Sequence, residues 1–204
     1  MTFYGISQGG ILGSGYALSS PYINKAVLGV PGSPFALVLP RSYNFFSGYF
    51  QLLQFQVNRN SHVRLVISLL QVLWDPAEGA GWFSGLSTGN TGSGVDVSKR
   101  FLIQTALGDA QVPTLAAQVT ARNLNCSTLH PQTRYVSGVA EVHGPVTEGS
   151  VYQEFSYMGV LQEPLDNGST PRPSDSMRGF IFASCRMTGS NARAYVLVPV
   201  LQLA

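Results

Sequence analysis

Two rhythms of apolar and polar residues alternate along the 204-residue chain. A short apolar run at residues 2–6 predicts a strand, and a small-residue pattern from Gly10 to about Ser19 predicts a helix closed by Pro21. Residues 26–30 (Ala-Val-Leu-Gly-Val) form a fully apolar run ending at Pro31-Gly32, which reads as a buried strand. Strand, helix and strand in succession predict a parallel sheet. The rhythm then breaks. From Ser33 to Lys99 an aromatic-rich stretch (Phe35, Tyr43, Phe45, Phe46, Tyr49, Phe50) leads into a predicted helix at residues 63–74, where Leu65, Leu69, Val72 and Leu73 recur near the helical period. Residues 33–99 therefore read as a helical, lid-like insertion, with Asp75-Pro76 ending the helix and the Gly, Ser and Thr of residues 79–94 forming a loop. The aromatics either line a pocket beneath that insertion or fill core.

Regular order returns at residues 100–106, a strand followed by Gly108-Asp109-Ala-Gln-Val-Pro113. A helix is expected over residues 114–124, with Thr114 as N-cap and Leu115, Val119 and Leu124 facing inward. A loop carrying His130 and His143 precedes an alternating strand at residues 150–157. Residues 159–175, rich in Pro, Gly, Asn and Ser, read as an exposed loop. Pro199 demotes the last apolar run, residues 194–201, to an edge or irregular tail. The predicted fold class is α/β in one domain spanning residues 1–204.

Composition narrows the partners. Only 11% of residues are charged, against about 25% in ordinary soluble domains, so part of the surface is uncharged and suited to burial. Net charge of +2 reflects a shortage of acids, and no basic run interleaved with aromatics marks a nucleic-acid surface. No apolar run reaches the length of a membrane span, and no signal-peptide pattern is visible; the compartment stays open. Cys126 and Cys185 have neither metal-ligand nor redox spacing and read as thiols, so no metal or organic cofactor is implied. Asn125-Cys-Ser127 and Asn167-Gly-Ser169 match the glycosylation acceptor pattern, which has meaning only in a secreted protein.

The candidate chemistry starts at Gly5-Ile6-Ser7-Gln8-Gly9. A G-x-S-x-G between a strand and a helix is the arrangement that exposes a serine on a sharp turn, which makes Ser7 a candidate nucleophile. Asp109 follows a later strand at the end where open α/β sheets place catalytic groups, or else it caps the next helix.

Tyr4-Gly-Ile-Ser-Gln-Gly-Gly10, Val27-Leu-Gly-Val-Pro-Gly32, Leu39-Pro-Arg-Ser42, Leu70-Gln-Val-Leu-Trp-Asp-Pro76 and Gly108-Asp-Ala-Gln-Val-Pro113 resemble a poorly characterised, lipase/esterase-like group of α/β-hydrolases, over residues 2–157. The resemblance implies a serine carboxylic ester hydrolase acting on small esters or lipids, with Ser7 as nucleophile, Asp109 as triad acid and the Gln8 backbone N–H as one oxyanion donor. It also implies four strands and an oxyanion loop ahead of the elbow, so the expected fold is the C-terminal half of a mostly parallel α/β-hydrolase sheet. The family's histidine falls at Ser174, in Thr170-Pro-Arg-Pro-Ser-Asp-Ser-Met-Arg178, where Ser174-Asp175 reads as a local cap. His143 and His130 are the displaced alternatives for a base; His62 reads as a surface residue. The contrasting expectation is a catalytically inactive pseudo-hydrolase or truncated gene product with a binding or assembly role, self-associating or taking a partner chain along an exposed sheet edge.

Overall fold

The computed structural model describes residues 1–46, 48–57, 59–88 and 99–156. In chain order these form β1 (Thr2–Ile6), α1 (Gln8–Ser19), β2 (Lys25–Gly29), α2 (Phe35–Val38), α3 (Tyr43–Phe46), α4 (Tyr49–Val57) and α5 (Asn60–Trp74). There follow α6 (Phe83–Thr88), β3 (Arg100–Ala106), α7 (Thr114–Asn123), β4 (Cys126–Leu129), β5 (Ala140–Val142) and β6 (Ser150–Phe155). Single 3₁₀ turns sit at Leu39–Arg41 and Gly79–Trp82.

The six strands make one sheet in the order β1-β2-β3-β6-β4-β5, and every neighbouring pair is parallel. The protein thus has an α/β fold. All strands point the same way, so every strand's C-terminal end lies on one edge. Register fixes the edge closely: Ile6 pairs with Gly29, and Gly29 with Gln104.

Alternate residues of the strands face opposite sides, and the larger core lies on one of them. Ala26, Leu28, Phe101, Ile103 and Tyr152 meet Ala17 and Leu18 of α1 and Ala117 and Ala121 of α7. Val27, Leu102 and Val151 form a smaller cluster on the other face. The α7 helix turns a different side inward from the one expected: Thr114, Ala116, Ala117, Thr120 and Ala121 are buried, whereas Leu115 and Val119 are half-buried. Small side chains let the helix axis come nearer the sheet, and that outweighs burying two larger ones. Pro113, not Thr114, holds the N-cap position, and Thr114 Oγ1 instead donates to the Ala106 carbonyl at 3.0 Å.

Between β2 and β3 most of the described residues are helical. Phe45, Phe50, Val63 and Ile67 form a core of their own, with Leu53, Val57 and Trp74 against it. The aromatic stretch thus fills core at Phe45 and Phe50, while Tyr49 and Phe55 are exposed. Helix α5 starts three residues before its predicted beginning. Gly79–Trp82 and α6 occupy the first part of the expected loop; residues 89–98 lie outside the described residues. Glu78, fully buried, ties this region together. Its Oε1 accepts from the Phe35 backbone N–H at 2.8 Å and from Gln71 Nε2 at 2.5 Å.

Two short strands, β4 and β5, stand where a loop was expected, and β6 ends at Phe155. Cys126 is a buried thiol whose pKa is pushed up by burial. Cys185, Asn167, the expected loop at residues 159–175 and the apolar run at 194–201 lie outside the described residues.

Helix α1 is closed from outside itself. Lys99 Nζ donates to the carbonyls of Ala17, Leu18 and Ser20 at 2.6, 2.8 and 2.6 Å. A helix C-terminus leaves its last carbonyls unpaired and negative, so an ammonium there satisfies both deficits. Burial lowers the lysine's pKa from its ordinary value, and the three acceptors offset that cost. Lys99→Met keeps the stem and removes the charge. We expect it to lower unfolding free energy by about 1.5–3 kcal/mol, read as a lower urea midpoint at unchanged slope; an unshifted midpoint refutes the cap.

Candidate functional site

Ser7 sits between β1 and α1 with φ 56° and ψ −124°. For an L-residue this is a strained conformation, the mirror of the first central position of a type II turn and normally taken by glycine. The turn is held on both sides: the Ser7 N–H donates to the Gly29 carbonyl at 2.9 Å, and the Ser7 carbonyl accepts from Gly10 and Ile11 at 2.8 and 3.0 Å. The sharp entry brings α1 against the sheet. A Cβ on Gly5 would fall on the Gly9 carbonyl oxygen, and a Cβ on Gly10 would lie 2.6 Å from the Gly29 carbonyl oxygen. Neither position accepts a side chain without moving backbone.

The serine is half-buried, and no described residue hydrogen-bonds its Oγ. The Gln8 backbone N–H, next along at the start of α1, likewise has no acceptor among the described residues. An unspent hydroxyl beside an unspent N–H at a helix start is an arrangement able to attack a carbonyl and receive the resulting oxyanion.

Val30 carries a second outlier. It follows β2 directly with φ 42°, costly for a β-branched residue, and its N–H donates to the Gln104 carbonyl at 2.7 Å. Two strained residues on adjacent strands at one edge mark a place where surrounding structure overrides local preference, as at functional sites. Nothing in a single Val-Pro dipeptide signals this, so the sequence reading missed it.

Asp109 follows β3, beyond Gly108 at φ 77°. It is buried, and Oδ1 accepts the backbone N–H groups of Gln111 and Val112 at 2.8 and 2.9 Å. The helical segment packs onto this loop: the Tyr43 N–H donates to the Ala110 carbonyl at 2.8 Å, and Ile11, Val38, Val112 and Ala116 form a shared apolar cluster. β1, which leads into Ser7, and β3, which leads to Asp109, have β2 between them and so lie about 10 Å apart across the sheet. A hydrogen-bonded imidazole spans about 7–8 Å between its partners, a length comparable to that strand separation.

The chain's three histidines are His62, His130 and His143. His62 is exposed at the start of α5. His130 and His143 follow β4 and β5, four and five strand positions from β1, which places them ~19 Å or more from Ser7. They have company of their own: their rings lie 4.2 Å apart, and His130 Nδ1 is 2.9 Å from Glu141 Oε1. The Gln132 backbone N–H, more than His130, holds the Glu141 carboxyl below its usual range. Ser174 lies outside the described residues.

A second buried carboxylate at this edge, Glu154 on β6, escaped the sequence reading. Arg134 Nε donates to Oε2 at 2.6 Å, while Oε1 accepts from Tyr152 Oη at 2.6 Å and from Gln118 Nε2 at 2.8 Å. Burial and this carboxylate push the Tyr152 hydroxyl's pKa up. Glu154 is therefore fully engaged in joining β6, α7 and the Arg134 loop. Among the described residues no group of three His, Cys, Asp or Glu is placed to hold a metal ion, and no helix is long and apolar enough to cross a membrane.

The strain at Ser7 is testable without an assay of activity. Ser7→Gly should raise unfolding free energy by about 1 kcal/mol, since glycine adopts this conformation freely, whereas Gly5→Ala should lower it by at least about 2 kcal/mol. A destabilised Ser7→Gly would show that the turn stores no strain. Comparisons of the chain with protein-family models, curated proteins and solved structures returned no match.

Proposed function

We propose that this chain is a serine carboxylic ester hydrolase of the α/β-hydrolase type, with Ser7 as nucleophile, Gln8 N–H as oxyanion donor and Asp109 as the acid. The observation that carries this reading is Ser7 itself: a strained, non-glycine residue at a strand-to-helix turn, with neither its hydroxyl nor the next N–H bonded to any described residue. Asp109, two strand positions away on the same edge, supports the Ser-then-Asp order of such sites. Serine would add to the ester carbonyl while a base takes its proton, and the alcohol would leave as the acyl-enzyme forms. Substrates would be small esters or lipids.

The chain's own residues leave the proton acceptor as the weak member, because no histidine hydrogen-bonds Ser7. That favours a second reading, in which the fold serves binding or assembly. Among the described strands β1 pairs with β2 alone, and Tyr4 on it is 60% exposed, which supports a role for this edge in joining a partner strand or a second copy.

A fluorophosphonate probe separates the two. Under the enzyme reading wild type is labelled and Ser7→Ala is not; equal labelling of both discards Ser7 as nucleophile. The base is tested separately by Ser174→His, expected to raise short-chain ester turnover about a hundredfold or more, the usual contribution of a positioned general base. Unchanged turnover would mean that a missing imidazole is not what limits the chain.

A further inference from the structure

We infer that the outer face of α5 docks on an anionic lipid surface, with the helix lying in the plane of the headgroups. The helix is apolar on two opposite sides. Val63 and Ile67 point into the helical segment's own core, where Phe45 and Phe50 meet them. On the other side Leu65, Leu69, Val72 and Leu73 are 57, 65, 71 and 72% exposed. Their spacing of i, i+4, i+7 and i+8 puts all four on one stripe about 100° wide. The stripe exposes on the order of 500 Å² of apolar surface, at the upper end of what a monomer leaves bare, and such a patch marks an interaction site. Helix α4 next to it exposes Leu52 and Phe55.

Charge decides between occupants. Ahead of Asp75 the chain has no acidic residue at all, and its charged side chains are Lys25, Arg41, Arg59 and Arg64. Arg59 stands at the N-cap position of α5, and Arg64 lies within its first turns, beside Leu65. The first acid, Asp75, is half-buried and already accepts from Gln71 Nε2 at 2.7 Å. A second copy meeting this face through a two-fold axis along the helix would set cationic ends together, and one meeting it antiparallel would bring them to the end carrying Asp75, whose half-buried carboxylate is already engaged. Anionic headgroups supply the missing sign. Four aliphatic side chains would enter the acyl boundary, while Arg59 and Arg64 extend along it to the phosphates. The contact is peripheral, since none of the described helices is long and apolar enough to cross a bilayer. It involves neither Ser7 nor Asp109, and stands or falls apart from the proposed chemistry.

The test is co-sedimentation of the full chain with phosphatidylcholine vesicles, with and without about one third phosphatidylserine. We expect binding to the anionic vesicles, weakened by salt, and about fivefold weaker for each of Arg59→Gln and Arg64→Gln. The double variant Leu69→Glu/Val72→Glu should lose binding more than about tenfold, because charges at those positions would have to enter the apolar layer. Ser7→Ala should bind as wild type does. The arginine variants leave the apolar stripe intact, so they decide the matter even if the glutamate variant does not fold. Absence of binding, equal binding to both vesicle types, or arginine variants that bind like wild type would overturn the proposal. So would a wild-type dimer that Leu69→Glu dissociates, which would make the occupant a second copy.

Discussion

How closely α1 can approach β1 and β2 governs the whole C-terminal edge of this sheet. The chain must reverse from strand to helix within one residue, and it does so only because Gly5 and Gly10 have no side chains to hold the backbones apart. The approach forces Ser7 into its left-handed conformation and aims the first N–H groups of α1 out of the sheet edge. It has a cost in helix propensity. Gly9, Gly10, Gly13 and Gly15 each give up about 1 kcal/mol relative to alanine, so this segment would not be helical alone. Packing on Phe3, Leu28 and Phe101, together with the Lys99 ammonium at the far end, supplies what the sequence of the helix lacks. The cap and the elbow are thus two ends of one device, and a change at Lys99 would be felt at Ser7.

Against that frame, the polar groups around the site divide by whether their hydrogen bonds are already taken. Glu154 spends both oxygens on Arg134, Tyr152 and Gln118, and Asp109 spends Oδ1 on the two backbone N–H groups of its own turn. Glu78 spends one oxygen holding α2 to α5. Buried carboxylates engaged this way fix loops and strands in place; they are poor candidates for moving protons. The Ser7 hydroxyl and the Gln8 N–H have no partner among the described residues, and they stand together at a strained turn. Asp109 belongs to the engaged group, and the turn that its Oδ1 closes fixes the loop following β3.

The parts legible in the sequence were those in which one local rule acts alone. Residues 100–106 form a continuous apolar-rich run ended by a glycine turn, and the strand matches it residue for residue. The elbow helix and β2 were legible for the same reason. Where rules compete, reading failed. Helix α7 has Leu115 and Val119 available, yet buries threonine and alanine, since the distance to the sheet and not hydropathy chooses the face. Strands β4 and β5 have only four and three residues, so periodicity had nothing to register; pairing, of β4 with β6 and of β5 with β4, makes them strands. The helices before α5 were read as aromatic content without element boundaries. Val30 and Glu154 show the limit most plainly, one strained and one buried by partners far along the chain that no local pattern announces.

Strand order, finally, bears directly on where a base for Ser7 can come from. All the loops that follow strands open on the same edge, so His130 and His143 are on the correct edge of the sheet. The β6 strand, however, inserts between β3 and β4, and that single topological choice carries both histidines away from β1 by several strand widths. Side-chain rearrangement cannot recover such a distance. What lies near Asp109 instead is the end of β6, where Phe155 pairs with Ala106, the last residue of β3. Ser156, the last described residue beyond β6, therefore stands one strand spacing from the acid's own strand, at the edge that carries Ser7.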